Sequence, residues 1–179
     1  MMAEKKILGE ERRNLILTWL QNRKEPITGA ELAAQTNVSR QIIVQDISLL
    51  KARNEPIIAT SQGYIYIPSQ TTKQLHQRVI ASSHSAEQAF DELCLIVDHG
   101  VIVKDVIIEH QVYGDLTASI MVSNRKEVEQ FVEKINATNA SYLSQLTGGI
   151  HLHTLEADSI AKLDAACKSL EKAGYLVES

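Results

Sequence analysis

The sequence predicts an α+β protein with two small domains, residues 1–68 and 72–179. Three observations support this fold class. Apolar residues recur at helical spacing up to residue 53, strand-like runs alternate with helical stretches after residue 75, and a polar, proline-initiated stretch, 68–72, separates the two patterns. A chain of 179 residues with 44% hydrophobic and 22% charged residues is long enough to bury two small cores.

The N-terminal pattern predicts three helices followed by a hairpin. A helix over residues 10–23 presents its apolar residues on one face, and Thr28 with Glu31 forms a capping box that begins a short second helix. Ser39 is a suitable N-cap for a third helix that ends near Arg53. Two β-like runs follow, and they cover residues 56–60 and 64–67.

The C-terminal pattern mixes strands and helices, which predicts a mostly antiparallel sheet with helices on one face. Asn124 and Asp158 are expected N-caps, and Gly174 is an expected C-terminal glycine. The predicted order is strand 75–82, helix 86–98, strand 101–110, strand 116–122, helix 124–137, strand 149–155, helix 158–173 and strand 175–178.

The second and third helices, joined by a short turn, predict a helix-turn-helix whose third helix enters the DNA major groove. Arginine reads guanine, glutamine reads adenine, and an exposed valine can contact a thymine methyl group. Gln62 and Gly63 are expected at the tip of a wing. The outward-facing residues of the third helix are Arg40, Gln41, Val44 and Gln45, and the candidate phosphate contacts are Arg12, Arg13, Lys51 and Arg53.

The charge distribution gives only weak support for DNA binding. Residues 1–68 carry nine Lys and Arg against seven Asp and Glu, whereas residues 69–179 carry nine against fifteen. A helical module with solvated charges that contacts other proteins would show the same pattern.

The motifs from Ile27 to Ala33 and from Asn37 to Ile47 resemble the winged helix-turn-helix at the N-terminus of biotin-operon repressors. The resemblance covers about 60 residues, and the biotin-ligase half of that family is absent. It strengthens the prediction that the protein binds DNA. The residues of the third helix and its ends that we expect to contact DNA are Ser39, Arg40, Gln41, Val44, Gln45, Lys51 and Arg53.

All six histidines lie in the predicted C-terminal domain, residues 72–179. His151 and His153 are two residues apart in a predicted strand, so both imidazoles project from the same face and can chelate a metal ion. His84 precedes a predicted helix, and Glu92 follows about two helical turns later, so it can return to the same side. The alternatives are a solvated strand edge for the pair and a surface position for His84.

His110 ends a predicted buried strand, next to the segment that contains Tyr113. It is either a hydrogen-bonded structural histidine or a residue of a ligand pocket.

Residues 72–179 as a whole resemble the three-histidine (3H) regulatory domain, on the segments around His84 and Glu92, Val106–Asp115 and Leu146–Glu156. With the winged helix, the whole chain resembles the niacin-responsive transcriptional repressors of bacteria. The resemblance implies a homodimer that represses genes of NAD synthesis or niacin uptake, with nicotinic acid as co-repressor. Gln111 departs from the proline expected there. The implied metal ligands are His84, Glu92, His151 and His153.

Histidine nitrogen and carboxylate oxygen suit several divalent transition metals, among which we expect nickel or zinc. Two alternative functions are compatible with the same residues. The protein could be a regulator that responds to the metal alone, or a metal-dependent enzyme that acts on a small pyridine-type substrate. A P-loop, a Gly-x-Gly-x-x-Gly motif and an evident Ser-His-Asp arrangement are absent, so we expect no enzyme. The absence of a signal peptide or membrane span, with Cys94 and Cys167 as expected buried thiols, predicts a cytoplasmic protein.

Overall fold

The computed structural model describes residues 8–67 and 75–177. The chain forms two compact units, Met1–Thr71 and Thr72–Ser179, and the predicted class of helices with antiparallel sheets is confirmed. The predicted polar linker 68–72 lies outside the described residues. None of the described helices combines the length and apolarity needed to cross a membrane.

The N-terminal unit consists of three helices and a two-stranded antiparallel hairpin: α1 (Gly9–Asn22), α2 (Gly29–Thr36), α3 (Arg40–Ala52), β1 (Ile57–Thr60) and β2 (Gly63–Tyr66). The predicted N-caps are confirmed, because Thr28 Oγ1 accepts the amide of Glu31 and Ser39 Oγ accepts the amide of Ile42. Asn37 follows α2 in the left-handed conformation (φ 52°), which asparagine tolerates better than most residues. The chain therefore turns within three residues from α2 into α3.

A hydrophobic core and one close backbone contact hold this unit together. Ile27 and Tyr64 exchange two backbone hydrogen bonds of 2.9 and 2.8 Å, which attach the hairpin to the segment before α2. Gly63 has φ 140°, and a Cβ there would lie 2.5 Å from the Ile27 carbonyl oxygen, so only glycine fits. The buried core consists mainly of Ile16, Leu20, Ile27, Leu32, Ile43, Ile47, Leu50 and Ile57.

The C-terminal unit is a four-stranded antiparallel sheet in the order β3-β6-β4-β5, accompanied by three α-helices. The predicted order of strand, helix, strand, strand, helix, strand is confirmed, and the sheet places the last strand between the first two. The elements are β3 (His76–Ser83), α4 (Ala89–Val97), β4 (Ile102–His110), β5 (Gly114–Val122), α5 (Arg125–Thr138), β6 (Ile150–Ala157) and α6 (Ile160–Ala173).

Burial alternates along β6, as expected for a strand with one covered face. His151, His153 and Leu155 are buried, whereas Ile150 and Leu152 are exposed. Leu155 shares one core with Leu93, Val128 and Leu163, which come from α4, α5 and α6 respectively. The two histidines therefore point toward the helical side of the sheet.

Several predicted boundaries are corrected by the structure. The final strand 175–178 is reduced to a single bridge between Leu176 and Ser82, and its last residue lies outside the described residues. Asp158 is not the cap of α6, because its carboxylate binds Lys162 and the N-cap position falls on Ser159. The predicted helix 86–98 begins with a 3-10 turn, Ala86–Gln88.

Most of the other local predictions agree with the structure. Asn124 caps α5 by accepting the amide of Glu127, and Gly174 ends α6 in the left-handed conformation, both as predicted. Cys94 is buried as expected, but Cys167 is only half-buried.

Candidate metal centre and DNA-contacting helix

Glu92 lies at the centre of a buried cluster of three histidines. Its Oε2 is 2.6 Å from His84 Nε2 and 3.3 Å from both His151 Nε2 and His153 Nε2. Each of the four side chains is at most 4% exposed. The structure thus brings together all four residues for which the sequence predicted a metal site.

Three short-range features place these side chains. Strand β6 presents His151 and His153 on its covered face, and β3 pairs with β6 up to the Ser83–Ile150 pair, so His84 follows directly beside them. Gly149 has φ 101°, and a Cβ there would lie 2.4 Å from the His84 carbonyl oxygen. The glycine therefore permits the close approach that joins the two halves of the cluster.

Each histidine is oriented by a backbone carbonyl through its other ring nitrogen. The Nδ1 atoms of His84, His151 and His153 lie 2.8, 2.9 and 2.6 Å from the carbonyl oxygens of Ser85, Gly149 and Asp105 respectively. A carbonyl oxygen can only accept, so each Nδ1 carries a proton and donates it. This arrangement is typical of metal-binding histidines, in which an outer hydrogen bond fixes the tautomer and leaves Nε2 free to coordinate.

The inner side of the cluster lacks positive charge when the imidazoles are neutral. With Nδ1 protonated, each neutral ring turns an Nε2 lone pair toward the Glu92 carboxylate, which also carries only lone pairs. Furthermore, Glu92 Oε1 is buried and has no hydrogen-bond partner among the described atoms. A divalent cation would satisfy both the three nitrogens and the carboxylate, so the residues fit a metal ion.

The charged forms of these groups support one another in the metal-free protein. Burial alone would raise the pKa of Glu92, but the attraction of His153 and hydrogen bonds from the three histidines hold that pKa well below its ordinary value. Burial likewise opposes charge on His84 and His153, yet their interactions with Glu92 raise the pKa of both imidazoles above 6.5. The cluster therefore favours cations in its interior.

A cavity of about 130 Å³ adjoins the histidine cluster. Its polar lining residues include the four clustered side chains, Ser141 and Ser144, and Phe131 and Tyr142 meet edge to face with ring centroids 6.2 Å apart. The cavity has room for a small molecule that contacts the histidines. The remaining lining residues are mostly apolar, namely Ala89, Leu93, Val106, Ala118, Ile120, Ile135 and Leu143.

In the N-terminal unit, helix α3 has one buried face and one exposed face. Ile43, Asp46, Ile47 and Leu50 are buried. Val44 is 42% exposed, which is the exposed apolar position that the sequence predicted. The exposed residues also include the predicted base-reading and phosphate-contacting residues Ser39, Arg40, Gln41, Gln45, Lys51 and Arg53.

Comparisons with known proteins identify the domain that contains each candidate site. Residues 77–179 match the 3H domain, and residues 12–65 match a helix-turn-helix (HTH) domain. The chain is 58% identical over 179 residues to "Transcription repressor NadR" of Bacillus subtilis, with 99% of each chain covered. The chain belongs to the family of 3H-domain transcription repressors. It is also 38% identical over 173 residues to "Probable transcription repressor NiaR" of Thermotoga maritima, with 97% of each chain covered.

Membership of the 3H-domain repressors confirms the resemblance found in the sequence. The two relatives are named as a transcription repressor and a probable transcription repressor, and residues 12–65 of this chain match an HTH domain, so this protein is a DNA-binding regulator and not an enzyme. The assignment of individual DNA-contacting and metal-binding residues stays a prediction.

One predicted phosphate contact, Arg12, was wrong. Arg12 is 7% exposed, and its Nε and Nη2 donate to the Asp46 carboxylate at 2.5 and 3.3 Å. A guanidinium held in this way inside the unit cannot reach DNA. Arg13 donates to Asp46 and Glu10, and Arg53 donates to Glu10, so both guanidinium groups are paired with carboxylates of the same unit.

His110 and Tyr113 do not line the cavity. They lie at the turn between β4 and β5, where Tyr113 is 74% exposed and the two rings pack with centroids 5.0 Å apart. His110 Nδ1 accepts the amides of Val112 and Tyr113, which is the local structural role that the sequence left open.

Sequence reasoning missed the wall of the cavity. Phe131 and Ile135 are four residues apart on α5 and belong to its apolar face. Helical periodicity predicts such residues as core, and it carries no signal that separates a core residue from one that borders a cavity.

Proposed function

We propose that this 3H-domain repressor controls genes of NAD synthesis or niacin uptake, and that it binds operator DNA as a homodimer through α3. Two ligands would control DNA affinity. One is a divalent metal ion held by His84, Glu92, His151 and His153, and the other is nicotinic acid as co-repressor. The names of the two relatives support a repressor. The observation that carries the sensor assignment is the convergence of three Nε2 atoms on the buried Glu92 carboxylate beside a cavity.

The donor set supports nickel or zinc. Three imidazole nitrogens and one carboxylate oxygen suit first-row divalent transition metals better than calcium or magnesium, which prefer oxygen ligands. When bound, the metal would supply a positive charge at the part of the cavity that the histidine cluster lines. Glu92 neutralises only one of its two charges, so the site keeps a preference for one further anion.

The cavity also supports a particular orientation of nicotinic acid. No lysine or arginine is among the described residues that line it, so the metal is the cation nearest to a carboxylate ligand. The pyridine ring would lie against the apolar wall near Phe131 and Ile135, because burial of that ring favours apolar neighbours. The hydroxyl groups of Ser141, Tyr142 and Ser144 are the polar groups of the wall that can donate to the ring nitrogen.

DNA binding measured by fluorescence anisotropy tests the regulatory proposal. Metal-loaded protein is titrated onto DNA from upstream of the host's NAD-synthesis and niacin-uptake genes, with and without nicotinic acid, at one fixed salt concentration. We expect nicotinic acid to tighten binding about tenfold or more, which corresponds to a coupling free energy of about 1.4 kcal/mol. His151→Ala should abolish the response, whereas the exposed His76→Ala should retain it.

Two other outcomes would contradict the proposal. DNA affinity that follows the metal but ignores nicotinic acid would identify a regulator of the metal-responsive kind. A response that survives His151→Ala would place the effector elsewhere in the protein.

Calorimetry with three ligands tests the orientation. Benzoate keeps the carboxylate and lacks the ring nitrogen, whereas nicotinamide keeps the nitrogen and lacks the negative charge. We expect benzoate to bind the metal-loaded protein with a loss of about 1 kcal/mol relative to nicotinate, the contribution of one hydrogen bond, and nicotinamide to bind far more weakly. The reverse ranking would show that the ring nitrogen, and not the carboxylate, faces the metal.

A further inference from the structure

Glu10, in the first turn of α1, joins two arginines that the sequence marked as candidate phosphate contacts. Arg53 Nη1 and Nη2 donate to Glu10 Oε1 and Oε2 at 2.7 and 3.2 Å, which is a bidentate contact between residues 43 positions apart in the sequence. Arg13 Nη2 also donates to Glu10 Oε2. One carboxylate therefore holds the guanidinium that follows the C-terminal end of α3 and the guanidinium one turn along α1.

This contact is part of a larger charge network. Arg13 Nη1 donates to the buried Asp46 at 3.2 Å, and Asp46 also accepts from Arg12. The network fixes Arg13 from two sides, so its side chain is only 15% exposed, whereas Arg53 and Glu10 are 51% and 57% exposed. Isolated surface ion pairs contribute little, but two-pronged arginine contacts within a network are better ordered.

A carboxylate and a phosphate group bind guanidinium through the same pair of parallel N–H donors. The positive charge of a guanidinium that donates two N–H groups to Glu10 is largely neutralised, and only its remaining N–H groups are left for a DNA phosphate. Hydrogen bonds from Arg53 and Arg13 lower the pKa of Glu10 to about 2, so the carboxylate stays charged under all ordinary conditions. Glu10 therefore competes with DNA phosphates for these two guanidinium groups as an ionised carboxylate.

We propose that Glu10 is a specificity-determining residue that limits sequence-independent DNA binding by holding Arg53 and Arg13 away from phosphates. Such contacts strengthen binding to every DNA sequence equally and carry no sequence information. With both arginines held by Glu10, a larger share of the binding free energy comes from the base-reading face of α3. The proposal rests on DNA binding by the helix-turn-helix, and it is independent of the metal and the effector.

The test compares Glu10→Gln with Glu11→Gln in the full-length protein. Glu11 is exposed, makes no ion pair with the described residues and lies one position along the chain, so both variants lose the same charge. Affinity for random-sequence duplex DNA is measured over a tenfold range of salt. Each additional phosphate bound by a released arginine should steepen the plot of log affinity against log salt by about 0.9, which is about eightfold in affinity over that range.

We expect this steepening in Glu10→Gln and not in Glu11→Gln. In the double variant Glu10→Gln/Arg53→Gln, about half or more of the increase in slope should disappear. An unchanged slope in Glu10→Gln, or the same change in both single variants, would overturn the proposal.

Arg53→Gln alone gives a second, independent test. If Glu10 holds Arg53, this variant leaves the slope of the wild-type protein unaltered, whereas a slope reduced by about 0.9 would show that Arg53 already contacts phosphate. Random-sequence binding by the wild-type protein serves as the reference, so loss of DNA binding itself is recognised separately.

Discussion

Two buried carboxylates, one in each unit, are compensated in different ways. Asp46 is 2% exposed and Glu92 is 1% exposed. Asp46 accepts hydrogen bonds from two arginines, with Arg12 Nε at 2.5 Å and Arg13 Nη1 at 3.2 Å. Glu92 faces three imidazole nitrogens instead, and its Oε1 has no hydrogen-bond partner among the described atoms.

The difference lies in what the partners can supply. Arginine is always charged and carries only donors, so Asp46 is compensated by the protein itself and serves to join α1 to α3. A neutral histidine whose Nδ1 donates to a carbonyl offers a lone pair at Nε2. The negative charge of Glu92 is therefore compensated only when protons or a metal ion bind to these nitrogens. Equal burial thus produces a structural joint in one unit and a binding site in the other.

The largest effect is expected when the structural joint is broken. Asp46→Ala removes the buried carboxylate that accepts from Arg12 and Arg13, and it should lower the free energy of unfolding of the N-terminal unit by about 3–5 kcal/mol. Trp19 is the single tryptophan of the chain and packs against this core, so its fluorescence during urea unfolding reports on this unit alone. Glu31→Ala removes an exposed ion pair with Arg23 and, as a control, should cost at most about 1 kcal/mol. Equal losses in the two variants would contradict the assignment of Asp46 as a structural joint.

Metal removal should produce the second largest effect, and only in the other unit. A ligand that binds the folded state alone stabilises it by about 2.7 kcal/mol when its free concentration is 100 times its Kd. Chelation should therefore lower the stability of the C-terminal unit by about this amount and leave Trp19 fluorescence unfolding unchanged. Hydrogen exchange of peptides from β6 and α4, compared with peptides from α3, measures both effects in one experiment. Destabilisation that spreads equally over both units would argue against a metal site confined to the histidine cluster.

The two sites also differ in how far the sequence reveals them. The His-x-His spacing of His151 and His153 on a strand fixes their common face, and Ser39 marks the start of α3, so local patterns predict both features. The burial of Asp46 depends on contact between α1 and α3, which no local pattern records. A charged residue on a helix is usually solvated, so the sequence predicts that Arg12 is available to contact a DNA phosphate. In the structure Arg12 instead donates to Asp46.

The same limit applies to the cavity. Tyr142 and Phe131 come from different segments, and only the tertiary fold brings them together beside the cluster. Likewise, Gly149 is one of two consecutive glycines in the sequence, and nothing in the pattern Gly-Gly separates a tight contact from an open turn. The structure shows that a Cβ would meet the His84 backbone at Gly149 and open space at Gly148.

These two glycines form a matched pair for the third prediction. Both have positive φ, of 64° at Gly148 and 101° at Gly149, so alanine at either position should cost about 1–2 kcal/mol in backbone strain. Only Gly149→Ala also pushes the strand away from His84, and it should weaken metal binding about 10- to 100-fold, as loss of a supporting contact around metal ligands does. Competition with a chromophoric chelator measures the affinity. Equal metal affinity in the two variants would show that the close approach at Gly149 does not position the ligands.

The smallest expected effect is a difference in pH dependence between the two units. Interactions with Glu92 outweigh burial and raise the pKa of His84 and His153 above 6.5. A raised pKa in the folded state stabilises the fold fully below the unfolded value, and this contribution is lost as pH rises through the folded value. The metal-free C-terminal unit should therefore lose on the order of 1 kcal/mol between pH 6 and pH 8.

The metal-loaded protein should show the opposite slope, because protons compete with the metal for Nε2 and this competition weakens as pH rises. The joint at Asp46 should show neither slope, since guanidinium groups stay charged throughout this range. Hydrogen exchange at pH 6 and pH 8, corrected for its intrinsic pH dependence, separates the three cases. Equal slopes with and without metal would mean that the metal does not replace protons on these histidines, and the contrast between Asp46 and Glu92 would lose its chemical basis.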